Sequence, residues 1–360
     1  MTQPNTSADW QPLLATFAEE RRRLNLGGGE KAIERQHGKG RWTARERIAA
    51  LIDPGTEFFE LGVWAAWNMY VEWGGAPAAG VICGVGRVAN RSVMVIANDA
   101  TVKAGAFFPQ TAKKVLRAQR IALTNRLPLM YLVDSAGVFL PLQDDVFPDE
   151  DDFGRIFRNN AVLSALGVPQ IAAIMGNCVA GGGYLPVLCD KLVMTEGSGL
   201  YLAGPALVKS SIGQEATHEE LGGAKMHAAI SGTIDFREAD DEAAIARLRK
   251  LADTLPEDSR CEKFRRGDET AIRNPQSAIT DVFPVDPQAE YEVRELLDCL
   301  LDGGSFQEYK AETGRTLVCG YARVGGFSVG VLANQHHPEK TDHEGLQFGG
   351  VIYHDSADKA

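Results

Sequence analysis

The sequence predicts an α/β fold, because strand-like and helix-like segments alternate along it. Continuous apolar runs at Leu127–Val133 and Gln170–Met175 are typical of buried strands, and Ile156–Leu166 between them has helical spacing. A strand, a helix and a second strand in this order favour a βαβ unit in a parallel sheet. Glycine-containing turns follow several of the strands, which predicts a ligand cleft at the carboxyl edge of the sheet.

The composition is that of a globular protein. The chain has 360 residues, of which 44% are hydrophobic and 24% charged, and its formal net charge is -11. No apolar run reaches the roughly 18 residues of a membrane span, and the negative charge argues against nucleic acid as a partner. The polar start lacks the apolar run of a signal peptide, so we expect a cytoplasmic protein without membrane attachment. No CxxC pair occurs, so no metal site is expected.

The N-terminal part predicts two helices followed by a β-hairpin. Helical spacing extends over Asp9–Arg23, and Thr43 with Glu46 predicts a capping box at the start of the second helix. The strand-like segments Val81–Val88 and Val93–Ala97 are separated by a short polar turn, which is typical of a hairpin.

The hairpin recurs near the other end of the chain. Gly80–Asn98 matches Thr316–Asn334 without a gap, at an offset of 319 − 83 = 236 residues. Such a repeat predicts a duplicated domain, of which the second copy is incomplete in this chain. We expect residues 1–260 to form the N-terminal domain, residues 261–290 a linker with many charges and prolines, and residues 291–360 the start of the second copy.

Three turns that follow strands carry the predicted chemistry. Small residues let a ligand approach the backbone, and N–H groups at the start of a helix have no internal partner and favour negative charge. Each donor placed against an oxyanion is worth about 3 kcal/mol. A packing role for the glycines is an equal alternative on the pattern alone. The turn residues are Ala180, Gly181 and Gly182; Ser135, Ala136 and Gly137; and Gly204 with Pro205.

Several other functions find no support in the sequence. There is no Gly-x-Ser-x-Gly elbow and no evident histidine partner for Ser135, so a serine hydrolase is not predicted. Neither a GxGxxG fingerprint nor a P-loop occurs. His218 and His227 are nine residues apart, and a structural role is the favoured interpretation for both.

Taken together, these motifs resemble the carboxyltransferase (β) subunit of biotin-dependent acyl-CoA carboxylases. Asp145–Asp149 and Phe153–Phe157 are most similar to the methylcrotonyl-CoA and geranyl-CoA branch, although Ala136 and Leu142 stand where a glycine and a basic residue are usual. The resemblance begins at about residue 35. Its segments, in the family's order, are Gly40–Ile48, Asn98–Ala106, Leu132–Gly137, Ala203–Pro205 and Glu220–Ala224.

The resemblance implies a crotonase-like (ClpP/crotonase) carboxyltransferase fold with two homologous domains. It implies an enzyme that moves a carboxyl group from carboxybiotin to an acyl-CoA, with 3-methylcrotonyl-CoA favoured. The carboxybiotin would be carried by the biotin carboxylase/biotin carrier (α) subunit. The protein would be a homo-oligomer with its active site at a subunit interface and without a metal in this subunit.

The resemblance also assigns roles to the turns. The N–H groups of Ala180 and Gly181, with Gly182 as their close neighbour, would form the oxyanion hole for the enolate of the acyl-CoA. Lys103 would meet a phosphate of CoA, with a solvated lysine as an equal alternative. The acyl and pantetheine path would be lined by Ser135, Ala136, Gly137, Gly204 and Pro205.

Other functions stay open at this point. Within the family, the alternatives are a propionyl-CoA or acetyl-CoA carboxylase β subunit and a biotin-dependent acyl-CoA decarboxylase. A crotonase-type hydratase or isomerase would share the glycine-rich turn but needs a carboxylate base. A fragment that only assembles with its partners, without turnover, is the non-catalytic alternative.

Overall fold

A computed structural model of the chain describes residues 7–255, 275–308, 311, 314–341 and 345–360. The chain divides into two compact units. The larger unit comprises Glu19–Pro256, and the smaller comprises Met1–Ala18 with Glu257–Ala360. In the described part of the chain, every helix is too short or too polar to cross a lipid bilayer.

The larger unit is built on an eight-stranded mixed sheet. In chain order its strands are β1 (Phe59–Leu61), β2 (Val81–Val88), β3 (Arg91–Asn98), β4 (Leu129–Ser135), β5 (Gln170–Val179), β6 (Lys191–Thr195), β7 (Gly199–Tyr201) and β8 (Phe236–Glu238). Their spatial order is β1, β2, β3, β4, β5, β6 and β8, and β7 pairs with the end of β5. β1 to β3 are antiparallel, whereas β3 to β6 and β8 run parallel. The predicted α/β fold is confirmed.

α1 (Ser7–Asn25) has residues in both units. The other helices of the larger unit are α2 (Glu30–His37), α3 (Ala44–Leu51), α4 (Pro109–Asn125), α5 (Gln143–Val146), α6 (Phe153–Ala165), α7 (Gly181–Val187), α8 (Pro205–Ile212), α9 (His218–Gly222), α10 (Ala224–Met226) and α11 (Asp241–Asp253). Helices pack on both faces of the sheet. Side chains of a strand alternate between faces. On β4, Leu129, Tyr131 and Val133 therefore face α4 and α6, and Met130 and Leu132 face α3 and α11.

A buried cluster around Arg47 connects α3 to the carboxyl ends of the two central strands. Arg47 is 1% exposed. Its Nε donates to Oδ2 of Asp241 at 2.8 Å, its Nη1 approaches Oδ2 of Asp134 at 3.4 Å, and its Nη2 donates to the carbonyl of Met175 at 2.7 Å. Gln36 of α2 also donates to Asp134, at 2.9 Å. The cluster therefore holds five elements of the larger unit together, namely α2, α3, β4, β5 and α11.

The predicted capping box explains where α3 begins. The hydroxyl of Thr43 accepts the N–H of Glu46, and the carboxylate of Glu46 accepts the N–H of Thr43. The start of the helix is thereby fixed, and Arg47 lies one residue after this box. The N–H of Trp42 donates to the same Asp241 oxygen at 2.8 Å.

The smaller unit contains the second hairpin. Its elements are α12 (Pro275–Val282), α13 (Val293–Leu300), β9 (Gln307–Glu308), β10 (Leu317–Val324), β11 (Phe327–Asn334), β12 (Glu339–Thr341), β13 (Gly345–Gln347) and α14 (His354–Lys359). β2 and β3 pair Val81 with Asn98, and β10 and β11 pair Leu317 with Asn334, which is the same register 236 residues later. The repeat found in the sequence is therefore a repeat of structure.

The two hairpins also share their supporting contacts. The carboxylate of Asp53 accepts the N–H groups of both turn residues in the first hairpin, and that of Asp302 does the same in the second. A bidentate arginine–glutamate pair accompanies each hairpin. The pairs are Arg45–Glu60 and Arg294–Glu308.

Part of the predicted linker is helical. Residues 275–282 form α12, and residues 261–274 lie outside the described residues. The helix is short, begins at Pro275 and ends before Pro284, so its periodicity is weak in the sequence. The domain limits at 1–260 and 291–360 stay a prediction.

We expect Arg47→Met to lower the free energy of unfolding by about 3–5 kcal/mol, because it leaves the carboxylates of Asp134 and Asp241 buried without their shared cation. Unfolding in urea, followed by circular dichroism, measures this. Arg22→Met is the matched control, since it removes only an exposed pair with Glu19, which contributes little to stability. Equal losses in the two variants would contradict the proposed importance of the cluster.

Glu292 forms a charged network at the start of α13. Its carboxylate accepts hydrogen bonds from His337, from the side chain of Gln335, and from the backbone and side chain of Arg294. Burial acts to raise the pKa of Glu292, but these hydrogen bonds outweigh it and lower the pKa to about 2. The folded state therefore binds a proton at Glu292 less readily than the unfolded chain does.

A carboxyl group with a depressed folded pKa contributes stability above its unfolded pKa and loses it as the pH falls through the folded pKa. For Glu292 this window extends from about pH 4.5 down to about pH 2. We expect Glu292→Gln to be less stable at pH 6 and to have a flatter stability profile across that window. Thermal unfolding at a series of pH values tests this. Parallel acid profiles for the two proteins would be the contrary result.

Candidate active site

Three turns meet at the carboxyl edge of the parallel strands. Ser135–Gly137 follows β4, Ala180–Gly182 follows β5, and Gly204–Pro205 comes shortly after β7. The first two turns are in direct contact: a Cβ added to Gly182 would lie 3.2 Å from Oγ of Ser135 and 3.5 Å from Cα of Gly137. The structure thus brings the predicted turn residues to one edge of the sheet.

The glycines of these turns are needed for close packing. A Cβ on Gly181 would lie 2.7 Å from the ring of Phe153, and a Cβ on Gly137 would lie 2.9 Å from the carbonyl oxygen of Val179. Both distances are too short for real side chains, so larger residues would push the turns apart. The packing role that the sequence left open therefore applies here, and it is compatible with a role in binding.

Ala180 has an unusual backbone conformation. Its φ of 52° and ψ of -128° are rarely adopted by residues other than glycine and cost about 1–3 kcal/mol. Its N–H donates to the carbonyl of Tyr201 at 3.1 Å, and its own carbonyl accepts the N–H of Gly183 at 2.9 Å. The prediction that the N–H of Ala180 faces a ligand is wrong, because this N–H holds the end of β7.

The N–H groups of Gly181 and Gly182 are the two donors that this turn leaves available. Both lie in the first turn of α7, where an N–H has no intrahelical acceptor. Among the described residues, neither has a protein acceptor. Two adjacent N–H groups without partners, beside the buried Ser135, are an arrangement that suits a developing oxyanion.

Lys103 lies near the same edge of the sheet, because the next residue, Ala104, is hydrogen-bonded to the Ser135–Gly137 turn. The N–H of Ala136 donates to the carbonyl of Ala104 at 2.9 Å. Lys103 and Ala136 are both exposed, and Nζ of Lys103 lies 3.6 Å from the position of a Cβ on Gly74. Lys103 is thus available to solvent beside the Ser135–Gly137 turn.

Three residues that support the glycine turn escaped sequence reasoning. Sγ of Cys178 donates to the carbonyl of Gly182 at 3.2 Å, Phe153 packs under Gly181, and Tyr201 holds Ala180. Only Phe153 carried a signal, because it lies in a segment of the family resemblance. The other two contacts depend on which strands pair, which a local pattern does not reveal.

The two histidines near this edge are engaged in local hydrogen bonds. The ring of His227 contacts the carbonyl of Leu200 at 2.8 Å and Oγ of Ser231 at 2.9 Å. The ring of His218 contacts the carbonyl of Ser198 at 3.1 Å and the hydroxyl of Tyr201 at 3.2 Å. Both contact sets agree with the structural role that the sequence favoured.

Comparison with known proteins identifies the family. Residues 35–360 match the carboxyl transferase domain. The chain belongs to the carboxyl transferase domain family. This carboxyl transferase chain is 45% identical over 333 residues to the biotin-dependent 3-methylcrotonyl-coenzyme A carboxylase beta1 subunit of Mycobacterium tuberculosis (strain ATCC 25618 / H37Rv). The match covers 89% of the chain and 62% of that relative.

Solved structures give the same fold. The chain superposes on the geranyl-CoA carboxylase beta subunit of P. aeruginosa with a TM-score of 0.80 and 31% identity, covering 91% of the chain and 61% of that structure. The hexameric transcarboxylase 12S, determined with methylmalonyl-coenzyme A bound, gives a TM-score of 0.64 and 35% identity, covering 90% of the chain and 63% of that structure. The crotonase-like fold is confirmed. The carboxyl transferase chain spans less than two thirds of the length of these proteins.

We expect Ala180→Gly to raise the free energy of unfolding by about 1 kcal/mol, because glycine adopts this conformation without strain although it is more flexible in the unfolded chain. Differential scanning calorimetry measures the change. Ala50→Gly, at an exposed position inside α3, is the control and should destabilise by a similar amount. Loss of stability in both variants would show that Ala180 is unstrained.

Proposed function

We propose that this chain performs the carboxyltransferase half-reaction of a biotin-dependent acyl-CoA carboxylase, with a substrate similar to 3-methylcrotonyl-CoA. One observation supports the proposal most directly. The N–H groups of Gly181 and Gly182, which have no protein acceptor in the described part of the chain, lie beside the Ser135–Gly137 turn at the carboxyl edge of the sheet, in a member of the carboxyl transferase family.

The chemistry required of the chain is stabilisation of negative charge. When an acyl-CoA loses a proton from its α carbon, or from the vinylogous γ carbon, charge develops on the thioester oxygen. The N–H groups of Gly181 and Gly182 hydrogen-bond that oxygen, and each is worth about 3 kcal/mol in the transition state. Because the donors belong to a backbone fixed before the reaction, little reorganisation is needed.

The remaining turn residues bind the substrate. Ser135, Ala136 and Gly137 line the acyl group, Gly204 and Pro205 follow the pantetheine arm, and Lys103 binds a CoA phosphate. Support for an apolar acyl group comes from the residues after Ala136. Phe139 stacks on Phe108 with ring centroids 4.4 Å apart, and Leu142 packs against the same cluster.

Carboxybiotin supplies the carboxyl group when it is bound, and we assign none of the described residues to hold it. Its carrier is a partner of the biotin carboxylase/biotin carrier (α) type, which fits the naming of the Mycobacterium tuberculosis relative as a β subunit. A homo-oligomer is supported by the hexamer described for transcarboxylase 12S. We place the enzyme in the cytoplasm, where buried thiols such as Cys83 and Cys178 stay reduced.

A crotonase-type hydratase or isomerase is less compatible with the site. Such an enzyme needs a carboxylate base next to the thioester. The one carboxylate within the three turns and their flanking residues is Asp134, which is buried and hydrogen-bonded to Gln36 and Arg47. Its carboxylate packs against Gly176 and faces the interior.

Transfer of labelled carbon tests the proposal. The natural full-length protein is mixed with a carboxylated biotin carrier and with 3-methylcrotonyl-CoA, geranyl-CoA, propionyl-CoA or acetyl-CoA. We expect label to enter the thioester, with the highest kcat/KM for 3-methylcrotonyl-CoA. Preference for propionyl-CoA or acetyl-CoA would move the chain to another branch of the family.

A matched variant separates catalysis from binding. Gly182→Ala places a methyl group against Ser135 and displaces one donor, so kcat should fall by about 100-fold. Gly303→Ala, at a position with open space and without a positive φ, is the control for a glycine remote from the site. Hydration of an enoyl-CoA without carboxyl transfer by the unmodified protein would contradict the proposed function.

A further inference from the structure

The peptide group between Gly182 and Gly183 is held on both sides. Its N–H, from Gly183, donates to the carbonyl of Ala180 at 2.9 Å. Its carbonyl, from Gly182, accepts from Sγ of Cys178 at 3.2 Å. The two donor N–H groups of the site belong to the two peptide groups immediately before it. A displacement of Gly182 that broke these hydrogen bonds would move its Cα, which is shared with the preceding peptide group, and so would change the direction of the Gly182 N–H.

Cys178 lies on β5, two residues before Ala180. It is 0% exposed, and it pairs with Leu200 of β7 on one side and with Ser135 of β4 on the other. Burial, with a smaller contribution from the charge of Asp134, raises the pKa of the Cys178 thiol well above its ordinary value. The thiol is therefore protonated at neutral pH and serves as a donor, and the strands on both sides fix its position.

The turn needs such a restraint because its conformation is strained. The φ of 52° at Ala180 is maintained only if the surroundings specify it more strongly than the local preference opposes it. Two contacts restrain the part of the turn around Ala180 and Gly181. The carbonyl of Tyr201 accepts the N–H of Ala180, and the ring of Phe153 blocks an inward shift of Gly181. After the donors, the hydrogen bond from Cys178 restrains the backbone of the turn at Gly182.

We propose that Cys178 is a positioning residue for the enolate oxygen: its S–H holds the Gly182 carbonyl in the protein interior and so keeps the N–H groups of Gly181 and Gly182 directed at the substrate. The proposal rests on the carboxyltransferase function for the identity of the substrate. It assigns no covalent chemistry to the thiol, which is buried.

Two substitutions separate the hydrogen bond from the volume of the side chain. Cys178→Ala removes the donor, and Cys178→Ser restores a donor on a shorter arm. Cys189→Ala is the matched control, because Sγ of Cys189 donates to the carbonyl of Leu185 at 3.4 Å in the same helical segment but away from the turn. Circular dichroism and thermal unfolding of each variant establish that it is folded.

Carboxyl transfer to 3-methylcrotonyl-CoA by the full-length protein is the first measurement. We expect Cys178→Ala to lower kcat by about 10-fold and to change KM by less than about two-fold, since a displaced donor acts in the transition state. Cys178→Ser should return kcat to within about three-fold of the unmodified enzyme. Cys189→Ala should leave kcat unchanged. Normal kcat in Cys178→Ala would overturn the proposal.

Hydrogen exchange gives a second measurement that needs no activity. Mass spectrometry of the peptide that covers residues 176–184 should show faster amide exchange in Cys178→Ala than in Cys189→Ala or the unmodified protein. Unchanged exchange would overturn the positioning role. If the unmodified protein transferred no carboxyl group, the proposed function would fail, and the exchange result would still decide whether Cys178 holds the turn.

Discussion

The buried guanidinium of Arg47 is the interaction on which the remaining architecture depends. It is shared by Asp134 near the end of β4, the Met175 carbonyl on β5 and Asp241 at the start of α11. A buried cation without these partners would be far costlier than a missing hydrogen bond, so the four groups stay together. Ser135 follows Asp134 directly, and the Ser135–Gly137 turn therefore leaves the sheet from a fixed point.

Packing and chemistry use the same residues at the edge of the sheet. Gly137 and Gly182 let the backbones of two turns approach each other, because a side chain at Gly137 would collide with the carbonyl of Val179 and one at Gly182 would crowd Ser135. Gly181 leaves room for the ring of Phe153. The same close approach places the N–H groups of Gly181 and Gly182, which have no acceptor among the described residues, beside the buried Ser135. A recognition site made of backbone atoms is more rigid than one made of side chains, since its donors have no rotamers to select.

Local sequence patterns predict the helices and strands that are determined by neighbouring residues. The hairpin at Val81–Val88, the capping box of Thr43 and the buried strands follow from side-chain alternation and cap chemistry, and the structure has them within a few residues. α2 was missed, because Ala32 and Ile33 are the apolar residues in an otherwise polar stretch of eight. Its position depends on Gln36, whose partner lies 98 residues away.

The sequence predicts the turns of the candidate site, and the structure shows that one predicted donor, the N–H of Ala180, is engaged by Tyr201. The turns were found because glycines after strands are visible in the sequence. The partner of the Ala180 N–H was not, because it depends on β7 pairing with the end of β5, and the supporting role of Cys178 depends on the same pairing. Family resemblance supplied the chemistry that the spacing alone left open.

The two hairpins of the repeat share some contacts and differ in others. Both copies keep an aspartate that caps the turn and an arginine–glutamate pair beside it. Arg45 of α3 corresponds to Arg294 of α13, so the position of Arg47 corresponds to Leu296. Both copies thus have the contacts that support the hairpin, whereas the buried guanidinium of Arg47 is replaced by a leucine at the corresponding position of the second copy. Two hairpins with the same frame can therefore be combined with different interiors.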